Sequence, residues 1–363
     1  SKIKKMKTKN IFKAILLSGA VILSSCSSDD PDPVACVVEA PMTYAFTHDG
    51  ASTVSFSGQA NRLAVAKDVY DLLNGNTATD RATVDATIDN ANSKLETKTA
   101  ENVENSNSRG NATFSRSTVT DDVNAIIDTW CNVTSIEVEA GTSAGINQAG
   151  IGPAGYQLDP RGWEADQQYA KMLIGALCLE QVAWDYLTKM GDCADGETWC
   201  TDNIDRSSVY TQREHYYDEA FGYVYGMDAD ISTAAIEEIS GNKYNFLGKY
   251  LSKHDGVGAS GKNYRQEVYD AFKMGRQALV DGCQEELDRQ IEIINSTLSK
   301  VVAWHAQDYL TSSGLMVADH STGFFHYVSE AWGFVYSLQF MKIDGNPVFS
   351  HSEVMQMIET LDN

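Results

Sequence analysis

The stretch "YAKMLIGALCLEQVAWDYL" (residues 169 to 187) decides the fold class, because its apolar residues recur at helical spacing. The apolar residues that share faces of this helix are Leu173, Leu177, Val182, Trp184 and Leu187. All six prolines of the chain lie outside residues 161 to 346, so no proline interrupts a helix there. The pattern predicts an all-α fold.

The same periodicity predicts further helices on both sides of this stretch. The predicted helices span residues 163 to 190, 208 to 227, 230 to 253, 261 to 295, 296 to 311, 322 to 341 and 350 to 361. The N-terminal third is predicted to be less regular. A short irregular or β-like segment, "YAFTHDGASTVSF", precedes a helix that begins at Ser57 or Gly58, and another helix covers about 119 to 131.

The first 25 residues resemble the signal peptide of a lipoprotein. Six lysines precede the apolar run "AILLSGAVILSS". A membrane-spanning helix needs about 20 apolar residues, and this run is shorter. The run ends directly before Cys26, so we expect cleavage there and a lipid anchor on the Cys26 thiol. Residues 26 to 42 contain "SSDDPDP" and predict a flexible tether.

This acidic tether resembles the export signal that sends bacterial lipoproteins to the outer face of the outer membrane. The sequence therefore predicts a lipid-anchored protein of the outer membrane, exposed at the cell surface, with the periplasmic face as the alternative. The chain carries a net charge of −22. Because the leader holds six of the 28 basic residues and none of the 50 acidic ones, the rest carries −28. Such a charge repels phosphates, so we expect no nucleic-acid partner.

Six cysteines remain after Cys26, and an even number in an oxidising compartment permits disulfides. In "CADGETWC", Cys193 and Cys200 flank a short loop that contains a glycine, so we predict a disulfide between them. Cys178 lies in an apolar helical run, which favours a buried free thiol. The pairing of Cys36, Cys131, Cys178 and Cys283 stays open.

Two later stretches are nearly copies of each other: "HYYDEAFGYVY" at residues 215 to 225 and "HYVSEAWGFVY" at 326 to 336. Each follows a similar helix end, "VAWDYLT" (182 to 188) in the first case and "VAWHAQDYLT" (302 to 311) in the second. Such matched ends predict an internal duplication, with two related helical bundles about a pseudo-twofold axis.

We place these bundles inside one helical domain. The domain spans residues 43 to 363, with a first repeat at about 163 to 227 and a second at about 296 to 341. Gly222 and Gly333 occupy matching positions in the two phrases, and a glycine there predicts close packing of the motif helix against a neighbour.

Each phrase places a histidine four residues before a glutamate: His215 with Glu219, and His326 with Glu330. On a helix such residues lie on one face, about 5–6 Å apart at Cβ. If the face is packed, each pair needs a partner, because an unpaired buried carboxylate costs several kcal/mol.

Two interpretations meet that need. In the first, the histidine and glutamate hydrogen-bond to each other or to nearby tyrosines, and the pair is purely structural. In the second, both pairs converge on one metal ion, with Asp218 and Glu214 as further ligands in the first copy. Two imidazoles and two carboxylates suit iron, manganese or zinc, and helical bundles hold metals in this way.

A zinc peptidase is the enzymatic alternative. The zincin motif requires two histidines four residues apart with a glutamate between them, and neither phrase has this arrangement. The sequence therefore favours a protein without catalytic activity.

Three phrases together carry a family resemblance: "GYQLDPRGWEADQQYAKMLIGALCLEQV", "EHYYDEAFGYVYG" and "HYVSEAWGFVYSL". From about residue 43 onward the chain resembles the lipoprotein family catalogued as domain of unknown function 4856. That family is similar in layout to the imelysin-like proteins, which are duplicated helical bundles with a His-x-x-Glu motif, associated with iron uptake and once described as peptidases.

The resemblance implies a role in iron or metal acquisition, with a TonB-dependent receptor as the partner. This chain departs from the imelysin motif because its spacing is His-x-x-x-Glu; only His215 and Asp218 keep an acidic group at the shorter spacing. We predict a non-catalytic lipoprotein that binds a metal ion, iron before zinc. The alternatives are a metal-dependent peptidase and a binding lipoprotein whose His–Glu pairs are structural.

Overall fold

Helices dominate the structure, as the sequence predicts. The computed structural model describes residues 36–74, 80–90, 92–103, 114–133, 149–152, 155–190, 210–227, 246–253, 263–311 and 323–362. The predicted leader, Cys26 and most of the predicted tether lie outside these residues. Residues Val37–Asn363 belong to one compact unit.

The α-helices are α1 (Ser57–Asn74), α2 (Arg81–Asn90), α3 (Leu95–Lys98), α4 (Arg116–Val133), α5 (Ala165–Leu173), α6 (Gln212–Tyr225), α7 (Leu247–Ser252), α8 (Tyr264–Asp281), α9 (Gln284–Thr311), α10 (Phe324–Ser337) and α11 (His351–Asp362). The strands are β1 (Thr47–His48), β2 (Ala51–Ser52), β3 (Gly150–Ile151), β4 (Gln157–Leu158), β5 (Lys342–Ile343) and β6 (Asn346–Pro347). They form three antiparallel two-stranded hairpins, β1 with β2, β3 with β4 and β5 with β6.

The stretch that decided the fold class lies at the centre of the molecule. After α5 the chain continues through π-helical turns at Ile174–Leu179 and Gln181–Asp185 and a 3-10 turn at Tyr186–Met190. We call this run, residues 165 to 190, the central helix. Nearly every side chain in it is buried, including polar and charged ones such as Lys171, Glu180 and Gln181. The helix predicted at residues 163 to 190 is confirmed.

The motif helices α6 and α10 pack on different parts of the central helix and on different further helices. Helix α6 packs against the end of the central helix, α1 and α8, whereas α10 packs against α5, at the start of the central helix, and against α9. Helices α8 and α9 form an extensive antiparallel pair. The surroundings of each phrase therefore come from different parts of the chain.

One predicted helix boundary is wrong. The sequence predicts a break between residues 295 and 296, but α9 continues through that point. The break lies at Gly282, which has φ of 71° and ends α8. Its left-handed conformation suits glycine, and the Cys283 N–H bonds back to the Ala278 carbonyl at 2.8 Å. Residues 295 and 296 offer no such stop.

Two predicted elements near the N-terminus are confirmed. The helix predicted from Ser57 or Gly58 begins at Ser57, and the β-like segment before it contains the β1–β2 hairpin. Of the helix predicted at 230 to 253, the described part shows only α7. Among the described residues, no helix is both long and apolar enough to cross a membrane.

Candidate functional site

The first His–Glu pair lies near the start of α6. The Thr211 hydroxyl and the Glu214 carboxylate form a capping box, which fixes where this helix begins. The His215 ring stacks on Tyr210 with ring centroids 4.8 Å apart. Its Nε2 atom lies 3.8 Å from Oε1 of Glu219. This pair is therefore aligned by the helix and only loosely in contact.

Glu219 has uncharged partners outside its own helix. Nε2 of Gln59, on α1, donates to Oε1 of Glu219 at 2.8 Å. The Tyr186 hydroxyl donates to the same oxygen at 3.5 Å. The His215 and Glu219 side chains are 26% and 17% exposed, so water reaches this pair.

Asp218 and Glu214, the further ligands predicted for the first phrase, face a buried guanidinium. Nε of Arg276, on α8, lies 3.0 Å from Asp218, and its Nη1 lies 3.1 Å from Glu214. The Tyr44 hydroxyl and the Ser55 N–H also donate to Asp218, at 2.7 and 3.1 Å. Burial raises the pKa of Asp218, and the charge of Arg276 opposes that rise. Protein donors thus occupy both oxygens of this carboxylate.

In the second phrase, His326 lies between two carboxylates. Its Nδ1 is 2.8 Å from Oε2 of Glu164, which directly precedes α5, and its Nε2 is 3.6 Å from Oε2 of Glu330. The ring stacks on Tyr156 at 4.6 Å, as His215 stacks on Tyr210. Because the two carboxylates face opposite sides of the ring, they do not point to one common position.

Glu330 forms a buried ion pair with the central helix. Nζ of Lys171 lies 2.9 Å from its Oε1, and the Tyr250 hydroxyl donates to the same oxygen at 2.9 Å. Burial raises the pKa of Glu330, but the positive charge of Lys171, the interaction with His326 and the hydrogen bonds from Lys171 and Tyr250 together outweigh burial and lower the pKa to about 2. The Lys171 side chain is 2% exposed and also hydrogen-bonds to Gln167. This glutamate therefore stays ionised.

The two glycines confirm the predicted close packing of the motif helices. A Cβ atom on Gly222 would lie 2.6 Å from Cβ of Phe56. One on Gly333 would lie 2.5 Å from Cβ of Lys171 and 2.9 Å from the Gln168 carbonyl oxygen. Each glycine lets its motif helix approach a neighbour directly.

Sequence reasoning missed the tyrosines that bind the two glutamates. Tyr186 begins "YLTK" (186 to 189) and Tyr250 begins "YLSK" (250 to 253), so each glutamate meets a tyrosine from a similar four-residue phrase. The lysine of each phrase, Lys189 or Lys253, lies over the ring of its own tyrosine, at 4.9 and 4.5 Å. A search for further repeated phrases would have found this signal.

The two similar helix ends, residues 182 to 188 and 302 to 311, have different surroundings. Trp184 is 5% exposed and its Nε1 donates to the Phe340 carbonyl at 2.9 Å, whereas Trp304 is 39% exposed. His305, one residue later, is buried and hydrogen-bonds to the Tyr250 carbonyl at 3.0 Å. The internal duplication therefore stays a prediction.

The structure does not bring the four residues of the two pairs into one site. Among the described residues, no group of three or more His, Cys, Asp or Glu side chains could hold a metal ion. The nearest approach to such a group is His326 with Glu164 and Glu330, and there Lys171 already supplies a positive charge. Chemically, both arrangements join helices through hydrogen bonds and ion pairs.

The family model described as Domain of unknown function (DUF4856) matches residues 41–363. The chain belongs to this family. The match covers α6, α10 and all their partners named above, so both phrases lie within the family domain. Searches of curated proteins and of solved structures found no match. The similarity to imelysin-like proteins stays a prediction.

The cysteines divide into two groups in the described part of the chain. Cys36 and Cys283 are disulfide-bonded, and Cys131 and Cys178 are free and buried. Burial raises the pKa of Cys178 to about 12, which keeps it an inert thiol, as the sequence predicts. The predicted partners Cys193 and Cys200 lie outside the described residues, as does the predicted lipid site Cys26.

Proposed function

We propose that this chain is a non-catalytic binding protein of the cell envelope, in which the two His–Glu pairs stabilise helix packing. One observation carries the proposal: donors from neighbouring elements already bind both motif glutamates. Lys171 and Tyr250 bind Glu330, and Gln59 binds Glu219. A carboxylate with one oxygen held by such donors serves packing better than catalysis.

The acidity of Glu330 also supports a non-catalytic role. A general base works best when its pKa lies near the pH at which the protein operates. With a pKa of about 2, Glu330 binds a proton too weakly to remove one from a substrate at neutral pH. Both ring nitrogens of His326 face carboxylates, Nδ1 that of Glu164 and Nε2 that of Glu330.

The envelope location rests on the sequence of the leader, on Cys26 and on the acidic tether. Cys26→Ser removes the thiol that would carry the lipid, so we expect the protein to move from the membrane fraction to the soluble fraction of cells. Protease added to intact cells then distinguishes the cell surface from the periplasmic face. Retention of the Cys26→Ser protein in membranes would contradict lipid anchoring. The partner implied by the family resemblance is a TonB-dependent receptor.

Metal binding, with iron preferred to zinc, is the second candidate, and one observation favours it at the first phrase. His215 and Glu219 are both partly exposed, and Nε2 of His215 faces Oε1 of Glu219 at 3.8 Å, too far for a hydrogen bond between them. Together the two side chains offer one nitrogen and one oxygen ligand from adjacent helical turns. Metal binding would then use the first pair alone and not four converging side chains.

Metal analysis separates these two functions. The purified protein is loaded with Fe²⁺ or Zn²⁺, freed of unbound metal by gel filtration and analysed for metal content. We expect well under one equivalent, and we expect Glu330→Gln to lower the melting temperature without changing metal content. One equivalent in the wild type that is lost in His215→Gln, but kept in His326→Gln, would establish the metal function instead.

A peptidase assay tests the enzymatic alternative. Casein incubated with metal-loaded protein should remain intact. Cleavage that disappears in Glu219→Gln or Glu330→Gln would overturn the non-catalytic proposal. Glu285→Gln is the matched control, because Glu285 lies at an exposed site on α9 and in neither phrase.

A further inference from the structure

A cavity of about 240 Å³ lies between α2, α3, α4 and the start of the central helix. It belongs to neither His–Glu pair. Its apolar side chains are Ile88, Leu95, Val123, Ile127 and Leu173. The volume is just below the roughly 300–1,000 Å³ of typical ligand sites, so the cavity suits a small organic molecule.

Tyr169 supplies an unsatisfied polar group to this cavity. The residue lines the cavity and is 1% exposed. Its hydroxyl has no hydrogen-bond partner among the described residues, and burial alone raises the pKa of its phenol. The hydroxyl is not among the fully enclosed polar atoms of the described residues, so a molecule in the cavity can reach it, and a hydroxyl at so buried a residue gains from a hydrogen bond. A ligand with a hydroxyl group of its own would supply the missing hydrogen bond.

The polar part of the cavity lining is acidic. Arg81 lies there, but its guanidinium is engaged by Asp85 at 2.7 Å, Asp128 at 2.6 Å and Asn124 at 2.8 Å. Asp89 and Glu96 also line the cavity and are exposed. With Asp85 they set three carboxylates against one guanidinium that is already paired. The opening therefore favours a cation over an anion.

We propose that this cavity binds a small arylalkylamine, with its ammonium group at the carboxylates, its ring against the apolar side chains and a hydroxyl on Tyr169. The inference rests on the proposed binding function and names the class of ligand. An aromatic ring with a short aminoalkyl chain, about ten non-hydrogen atoms, matches the cavity in size. An acid of the same shape would be repelled by the carboxylates.

Three related compounds test the proposal by isothermal titration calorimetry on the purified protein. Tyramine carries both the ammonium and the hydroxyl, phenethylamine lacks the hydroxyl, and 4-hydroxyphenylacetate replaces the ammonium with a carboxylate. We expect saturable binding of tyramine, weaker binding of phenethylamine and none of the acid. Raising the salt concentration should weaken the binding of both amines, because it screens the exposed carboxylates.

Variants then assign the binding to this cavity. Tyr169→Phe should weaken tyramine about tenfold and phenethylamine less than about twofold, because only tyramine uses the hydroxyl. Glu96→Gln should weaken both amines up to about fivefold. Val123→Trp fills the cavity and should abolish binding, whereas Val280→Trp, at an exposed site on α8, should not.

The inference fails if neither amine binds the wild type saturably, if the acid binds as well as tyramine, or if Tyr169→Phe leaves the preference for tyramine unchanged. These outcomes leave the proposed function standing, because that function is judged by metal content, casein cleavage and cell fractionation. Conversely, a metal-loaded or proteolytic protein would overturn the proposed function whatever the amines do.

Discussion

The two copies of the phrase each contain buried acidic residues, and each copy pairs them with a different cation. In the first copy the buried acids are Asp218 and Glu214, and their cation is Arg276 from α8. In the second the buried acid is Glu330, and its cation is Lys171 from the central helix. Position for position, the copies share His and Glu but not the ion pair.

This difference shows that a helical phrase does not determine its own charge balance. At the position of Asp218 the second copy has Ser329, whose hydroxyl accepts from the Glu164 N–H at 2.9 Å and donates to the Phe325 carbonyl at 2.7 Å. With no carboxylate there, the second copy needs no cation at that point. Instead its cation, Lys171, pairs with Glu330. The matching glutamate of the first copy, Glu219, accepts a hydrogen bond from the amide of Gln59.

The largest effect should come from removing the cation of the first copy. Arg276→Met leaves two buried carboxylates without their countercharge, and we expect the free energy of unfolding to fall by about 3–5 kcal/mol. Urea denaturation measures it. Arg289→Met is the matched control, because Arg289 is 61% exposed in its pair with Glu286, and it should cost at most about 1 kcal/mol. Equal losses in the two variants would refute the assignment of a buried ion pair.

The second copy should show its ion pair in the pH dependence of stability. The pKa of Glu330 is about 2 in the folded protein, below its ordinary value of 4.5. The ionised form is therefore favoured by folding, so its contribution is complete above pH 4.5 and is lost as the pH falls toward 2. At pH 7 we expect the free energy of unfolding of Glu330→Gln to be about 2–4 kcal/mol lower than that of the wild type.

Unfolding curves from pH 7 to pH 2.5 test this expectation. The gap between Glu330→Gln and the wild type should stay constant down to about pH 4.5, the ordinary pKa, and then narrow. A gap of the same size at all pH values would mean that the glutamate contributes only through its shape. Glu285→Gln, at an exposed site on α9, serves as the control.

Much of this contrast could be predicted from the sequence, but its cations could not. Helical periodicity predicted the central helix, and the repeated glycines predicted the close helix contacts, because both signals are local. Lys171 is separated from Glu330 by more than 150 residues, and a lysine inside an apolar helix gives no sign of its partner. Arg276 likewise lies on a helix that carries no copy of the phrase.

The glycines offer a smaller, steric comparison. A Cβ on Gly333 would meet the backbone of the central helix, whereas one on Gly222 would meet the side chains of Phe56 and Gln59. Backbone atoms adjust less easily than side chains. We therefore expect Gly333→Ala to lower the free energy of unfolding by about 2–3 kcal/mol and Gly222→Ala by about 1–2 kcal/mol. Thermal unfolding would rank them. Gly58→Ala is the control, since in the described part of the chain no atom beyond its chain neighbours and own helix backbone lies within 4 Å of its added Cβ. The reverse ranking would show that the central helix yields more easily than α1.

The smallest effect should distinguish the tyrosines of the two copies. The Tyr250 hydroxyl lies 2.9 Å from Glu330, a normal hydrogen bond to a buried charge, whereas Tyr186 lies 3.5 Å from Glu219. We expect Tyr250→Phe to lower the free energy of unfolding by about 1.5 kcal/mol and Tyr186→Phe by at most about 0.5 kcal/mol. Because both changes remove only one oxygen, each variant controls for the other in urea denaturation. Equal costs would mean that the short contact at Glu330 adds nothing to the ion pair with Lys171, and Lys171 alone would then balance the charge of the second copy.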